Sequence, residues 1–182
     1  MMMSRDELIA EFGSTFEHSP WIAEAAFEAG AFQGVGRAAD GAVRLEPREV
    51  ERIHAAMCEA FHAAPRDRRL GVLQAHPDLA GRLAIARQLS RDSEGEQRGA
   101  GLDRLTGDEH ARFTHLNLEY QARFGHPFIV AVKGLDKRAI LERFEARLRN
   151  DAATEFDTAC AEVERIARLR LEARIDAPPG TR

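Results

Sequence analysis

The pair His76-Pro77, within LQAHPDLAGRLA from Leu73, is the first place in this sequence where residue type and position suggest chemistry. Proline disfavours the α conformation in the residue before it, so the helix-forming run up to Ala75 is predicted to stop at His76. The imidazole then leaves a helix end, where the carbonyl dipoles favour the protonated ring. Histidine is the side chain whose ordinary titration lies nearest neutral pH, so this address suits a proton-transfer group. It suits a capping histidine equally well.

Two further stretches have unusual chemistry for their setting. DSEGEQRGAGL, from Asp92, gathers Ser93, Glu94, Glu96 and Gln97 among Gly95, Gly99 and Gly101. Each glycine in a helix costs up to about 1 kcal/mol against alanine, so their presence suits a backbone that something approaches closely. FGHPFIVAVKG, from Phe124, carries His126 and Pro127 and then the apolar Phe128, Ile129 and Val130, whose peptide N–H groups follow a predicted helix end. Taken singly, the three have plain structural explanations: a cap, a poor helix start and a buried connector.

Other motifs carry less. Gly34-Val35-Gly36-Arg37-Ala38-Ala39 has the spacing of a dinucleotide fingerprint but follows no strand. His54 and Cys58 are four apart in an apolar stripe, with nothing in the run spaced to complete a metal site, which reads as core packing. His110 and His115 are five apart and fall on different sides of a helix. HEXXH, G-x-S-x-G and Walker-type loops are absent from the sequence, which argues against a zinc protease, a serine hydrolase and a nucleotide-hydrolysing enzyme. Arg165, Arg168, Arg170 and Arg174, interspersed with apolar and acidic residues, read as a solvated helix face.

The elements that must position these residues are helical throughout. Ser4 with Glu7 forms a capping box for a short helix through Leu8 and Phe12, and Ser19-Pro20 opens another from Trp21 to Ala29. Pro47 starts a helix with Val50, Ile53, His54, Met57 and Phe61 on one face, and a further helix runs from Pro65 to Ala75. Ser93 with Glu96 and Thr106 with Glu109 repeat the S/T-x-x-E pattern. The second opens an amphipathic helix bearing Phe113, Leu116, Asn117, Tyr120 and Phe124, with stop signals at Gly125 and Pro127. FIVAV has no partner strand and reads as an extended connector. Asp136 caps the next helix, and a long final one carries Phe156, Cys160, Val163, Ile166 and Ala167. The expectation is an all-α fold in a single multi-helix domain over 1–182, with a flexible tail from about residue 177.

Composition narrows the function classes. With 44% hydrophobic and 31% charged residues the balance is that of a globular domain, and the net charge of −4 gives no help to nucleic-acid or anionic-membrane binding. The longest apolar runs are about five residues, where a membrane span needs about 20. Cys58 and Cys160 are far apart and outside any CxxC pattern, so reduced thiols in a cytoplasmic protein are expected.

In combination the three stretches carry more than any one of them. HPDLAG, then S-x-x-EQ-x-x-AGL, then LN-x-x-Y-x-x-x-FG-x-PFIVAVKG, in this order, resembles the OHCU decarboxylase family, whose substrate is 2-oxo-4-hydroxy-4-carboxy-5-ureidoimidazoline. SPWIAEAA near the start and RIARLRLEARI near the end fit the same resemblance. It implies an all-helical homodimer that forms (S)-allantoin in urate catabolism with no metal or organic cofactor. It implies His76 as catalytic acid/base, Glu96 as catalytic carboxylate, and Pro77 and Ser93 to Gln97 as substrate contacts. His126, Pro127, Phe128, Ile129 and Val130 would offer backbone groups to the ring. His126 departs from the phenylalanine usual at its position and adds a second titratable group to that wall. Arg82 and Arg98 are the candidates for receiving the substrate carboxylate. A helical binding protein that keeps the fold, and a related lyase or hydrolase of another ureido compound, are the competing readings.

Overall fold

The structure, a computed structural model, describes residues 1–80 and 91–175. Among these residues there are eight α-helices and no β-strand beyond two isolated bridges, Met2 with Gly36 and Arg37 with Val43. The helices are α1 (Arg5–Phe12), α2 (Pro20–Glu28), α3 (Pro47–Ala63), α4 (Arg66–Ala75), α5 (Arg91–Gly99), α6 (Gly107–Phe124), α7 (Lys137–Arg147) and α8 (Ala152–Glu172). The expected all-α fold is what forms. Arg82 and the tail from about residue 177 lie outside the described residues.

The caps explain where several helices begin. Ser4 Oγ accepts the Glu7 N–H at 3.3 Å while Glu7 Oε2 accepts the Ser4 N–H at 2.8 Å. Thr106 and Glu109 repeat the reciprocal pair at 3.3 and 2.8 Å, and Asp136 Oδ1 accepts the Ala139 N–H at 2.8 Å. Each satisfies amide groups that a first helical turn leaves without an intrahelical partner. Pro20 and Pro47 stand at first helical positions, where a missing N–H costs nothing. The Ser93–Glu96 box is a correction: Ser93 lies inside α5, buried, and does not cap it. Of the glycines after it, Gly101 acts at the other end, where it adopts φ +75° and turns the chain out of the helix.

The chain divides into two compact units, Met1–Val72 together with the segment from Glu164, and Leu73–Val163. In the first, α2 packs against α1 and α3 around Phe12, Phe16, Ile22, Phe32, Ile53, Met57 and Phe61, with Phe12 on Phe32 at 5.0 Å and Phe16 on Phe61 at 5.5 Å. Arg170 corrects the solvated reading of the C-terminal arginines. It is 8% exposed, donates to Glu17 Oε2 at 2.8 Å and to the Ser14 carbonyl at 3.2 Å, and holds a loop in which Glu17 has a positive φ of 51°. Arg174 likewise reaches back to Glu11 at 2.6 Å.

The second unit is built on an aromatic cluster. Phe128 stacks on Phe144 with centroids 3.9 Å apart, and Tyr120 meets Phe124, Phe128 and Phe144 at 4.7 to 5.6 Å. FIVAV forms the extended connector expected, threading buried through this core without a strand partner. Charged side chains hold it instead. Arg147 Nη1 donates to the Ile129 carbonyl at 2.6 Å, and Glu162 Oε2 accepts the Ala131 N–H at 2.6 Å. Behind Arg147 sits Glu155, fully buried, which accepts from Arg147 Nε at 2.9 Å, from Asn150 Nδ2 at 2.7 Å and from the Tyr120 hydroxyl. Removing one partner of such a buried pair costs about 3–5 kcal/mol.

Candidate active site

His76 stands where the proline rule places it. Helix α4 ends at Ala75, the His76 N–H donates to the Leu73 carbonyl at 3.2 Å, and the ring is 6% exposed. The turn that follows, Pro77 to Ala80, is held by side-chain amides from two other helices. Gln97 of α5 accepts the Ala80 N–H on Oε1 at 3.0 Å and donates from Nε2 to the Asp78 carbonyl at 3.3 Å. Asn117 of α6 donates from Nδ2 to the Leu79 carbonyl at 2.9 Å. One turn further along α6, Gln121 Nε2 donates to Asp78 Oδ1 at 2.6 Å. Burial pushes the Asp78 carboxyl up from its ordinary range, and the Gln121 bond opposes that shift.

The same bonds gather the three sequence stretches. Gln97 brings α5, and with it Glu96, against the His76 turn. Gln74 in the last turn of α4 donates to the Gly125 carbonyl at 2.9 Å, which brings the residue preceding His126 to the end of that helix. Gly125 itself ends α6 at φ +76°, a conformation that side-chain-bearing residues adopt at a cost.

The individual candidates are placed unequally. Glu96 is half-buried on α5 and Ser93 is buried one turn before it. Glu94, half-buried, is paired at 2.5 Å with Arg98, which is itself exposed. Among the described residues, an added Cβ at Gly95 or Gly99 would meet nothing within 4 Å outside its own helix backbone and chain neighbours. His126 is 2% exposed, its Nδ1–H donating to the Pro127 carbonyl at 2.9 Å and its ring edge-on to Tyr120 at 5.6 Å. That bond requires the proton on Nδ1 when the ring is neutral. The Phe128 side chain is committed to the core under Arg147, 4.7 Å from the guanidinium carbon. The backbone beside it is different. No bond from the N–H groups of Phe128, Ile129 and Val130 to another protein group is seen among the described residues.

Asn117, Gln121 and the Arg147–Glu155 pair were not singled out for chemistry by the sequence. A signal existed for Asn117, a polar residue at a buried position of an apolar stripe. For Arg147 and Glu155 none existed, because their partners lie on other elements. His54 and Cys58 are both half-buried, with Cys58 Sγ 3.4 Å from His54 Nε2, and burial pushes the thiol up to about 12. Among the described residues no group of three or more histidine, cysteine or acidic side chains is arranged to hold a metal.

A buried histidine at a helix end and a carboxylate-bearing helix held against its turn sit within an all-helical fold among the described residues. The OHCU decarboxylase family model matches residues 1–172, and the chain belongs to that family. It is 37% identical over 172 residues to the 2-oxo-4-hydroxy-4-carboxy-5-ureidoimidazoline decarboxylase of Haloferax volcanii, covering 94% of this chain and 91% of that one. It is also 37% identical over 169 residues to the uric acid degradation bifunctional protein PucL of Bacillus subtilis, covering 93% of this chain and 30% of that protein. A crystal structure of (S)-allantoin synthase superposes with a TM-score of 0.68 at 27% identity, over 96% of this chain and 52% of the other.

Proposed function

We propose that this protein decarboxylates 2-oxo-4-hydroxy-4-carboxy-5-ureidoimidazoline to (S)-allantoin in urate breakdown, without a cofactor. The observation that carries the reading is family membership over residues 1–172 with His76 retained at the helix end and Glu96 retained on the helix clamped to its turn. In the reaction the bond between the ring carbon and the carboxylate breaks, CO2 leaves, and the electron pair passes into the ring imine. The carbon that lost CO2 is left as an enol; its hydroxyl gives up a proton as the carbonyl forms, and a proton adds to one face of the neighbouring ureido-bearing carbon, which fixes the S configuration.

The chain's own residues meet those needs. His76 moves the proton, a role that contributes about 10²- to 10⁴-fold. Glu96 orients the imidazole or takes the ureido N–H groups, and Pro77, Ser93, Glu94 and Gly95 line the ring. The N–H groups of Phe128, Ile129 and Val130 stabilise the charge that develops on the ring as CO2 departs, with His126 and Pro127 completing that wall. Gln97 holds the turn through two bonds and has a further Nε2 hydrogen with which to contact the ring. The 1–182 chain acts as one domain, supported by a family match that runs through both units, and works as a cytoplasmic homodimer. No helix among the described residues is long and apolar enough to cross a membrane.

The test is to generate the substrate in place from urate with the upstream enzymes and follow allantoin by circular dichroism. Unassisted decay gives racemic product, so an optically active signal of S sign is expected. A flat trace from folded protein would reject the assignment and favour a binding role or another ureido substrate.

A further inference from the structure

The turn from Asp78 to Ala80 does not support itself. Three of its backbone groups, the Asp78 carbonyl, the Leu79 carbonyl and the Ala80 N–H, are each bonded by a side-chain amide, Gln97 twice and Asn117 once. Ala80 has a φ of +52°, a region that disfavours any residue with a Cβ. A strained backbone persists only where its surroundings over-determine it, and it clusters where a catalytic group must be aimed. Here the surroundings are two carboxamides from α5 and α6.

Asn117 is the informative member. It is 6% exposed in a stripe with Phe113, Leu116 and Tyr120, where an apolar side chain would pack as its neighbours do. Its Nδ2 reaches the Leu79 carbonyl, three residues beyond His76, while its Oδ1 is buried with no hydrogen-bond partner. Stability alone does not select an amide that leaves one end unsatisfied. We propose that Asn117 is a positioning residue for the proposed decarboxylation: by holding the Leu79 carbonyl it fixes the turn and so the place of the His76 imidazole. Gln97 fixes the same turn from its other side, and Gln121 steadies the Asp78 side chain. The inference rests on the reading of His76 as the acid/base group.

The experiment compares wild type with Asn117→Leu, close to asparagine in size and unable to donate, and with Asn117→Ala. Leu118→Ala is the control, one residue along α6 and 66% exposed. Folding is followed by far-ultraviolet dichroism and thermal melts, and turnover by the optical activity of allantoin. The nitrogen resonances of the His76 imidazole are followed in resting enzyme as a function of pH. Both Asn117 variants should lose about tenfold or more in kcat with KM changed less than about threefold, and their His76 titration should move. Leu118→Ala should match wild type in every measurement. A wild-type kcat and an unmoved His76 titration in whichever Asn117 variant folds would overturn the proposal, as would failure of both variants to fold. The resting His76 titration needs no substrate. A wild type inactive on the ureidoimidazoline, with a titration that still moves in the variants, would therefore reject the decarboxylase reading and leave the positioning role standing.

Discussion

At the scale of single residues, removing the imidazole is the sharpest change. His76→Ala should fold, since the ring's removal leaves the Gln97 and Asn117 bonds to the turn in place. It should retain less than about a tenth of wild-type turnover, the loss expected when a general acid/base is deleted. Glu96→Gln keeps the side chain's shape and removes its charge. Ser93 does not cap α5, so a capping-box role is closed to Glu96, and a drop of about tenfold or more in kcat/KM is expected. Wild-type activity in that variant would remove Glu96 from the chemistry. His126→Phe gives up one hydrogen bond to the Pro127 carbonyl in a buried aromatic setting. KM should rise modestly with kcat within about a few-fold of wild type, an effect on the order of 1 kcal/mol. Steady-state kinetics over a pH series checks all three. His76 was legible from one rule about the residue before proline. The amides that hold its turn were not, because Asn117 and Leu79 are 38 residues apart and no local pattern records such a pairing.

At the scale of elements, helix starts were the most legible feature. A cap is a local contract between residues three apart, and Ser4, Thr106 and Asp136 all honour it. Ser93 broke the pattern because the helix extends at least to Arg91 before it, where packing decides and a serine can sit inside. Arg170 was misread for a related reason. It shares the buried face of α8 with Val163, Ala167 and Leu171, and only the fold brings Glu17 to meet it. The cap of α6 offers a test that separates element stability from chemistry. Thr106→Ala should cost about 1 kcal/mol of stability by denaturant titration and leave kcat unchanged, because Asn117 and Gln121 lie several turns further on.

At the scale of the whole molecule, acid is the expected weak point. The Ser4 backbone amide holds the Glu7 carboxyl below its usual range, Lys137 does the same for Glu109, and the Thr154 amide does so for Asp151. Arg44 lowers Asp40 and Arg168 lowers Glu51. A carboxyl depressed in the folded state adds stability above its unfolded pKa and loses it as pH falls through the folded one. Asp78, raised by burial, works the other way, favouring the folded state when protonated and losing that contribution as pH rises. The five depressed carboxyls favour a melting temperature that falls as pH drops below about 4, Asp78 opposing, and a calorimetric pH series reads the balance. The division of the chain also has a consequence for its birth on the ribosome. Leu73–Val163 is one unbroken stretch and can close its aromatic core as soon as it has emerged. The unit that begins at Met1 cannot, because Glu17 waits for Arg170, 153 residues downstream. The helices of the Met1–Val72 stretch are therefore completed only after Leu73–Val163 has emerged, and they must be kept from other partners until Arg170 follows.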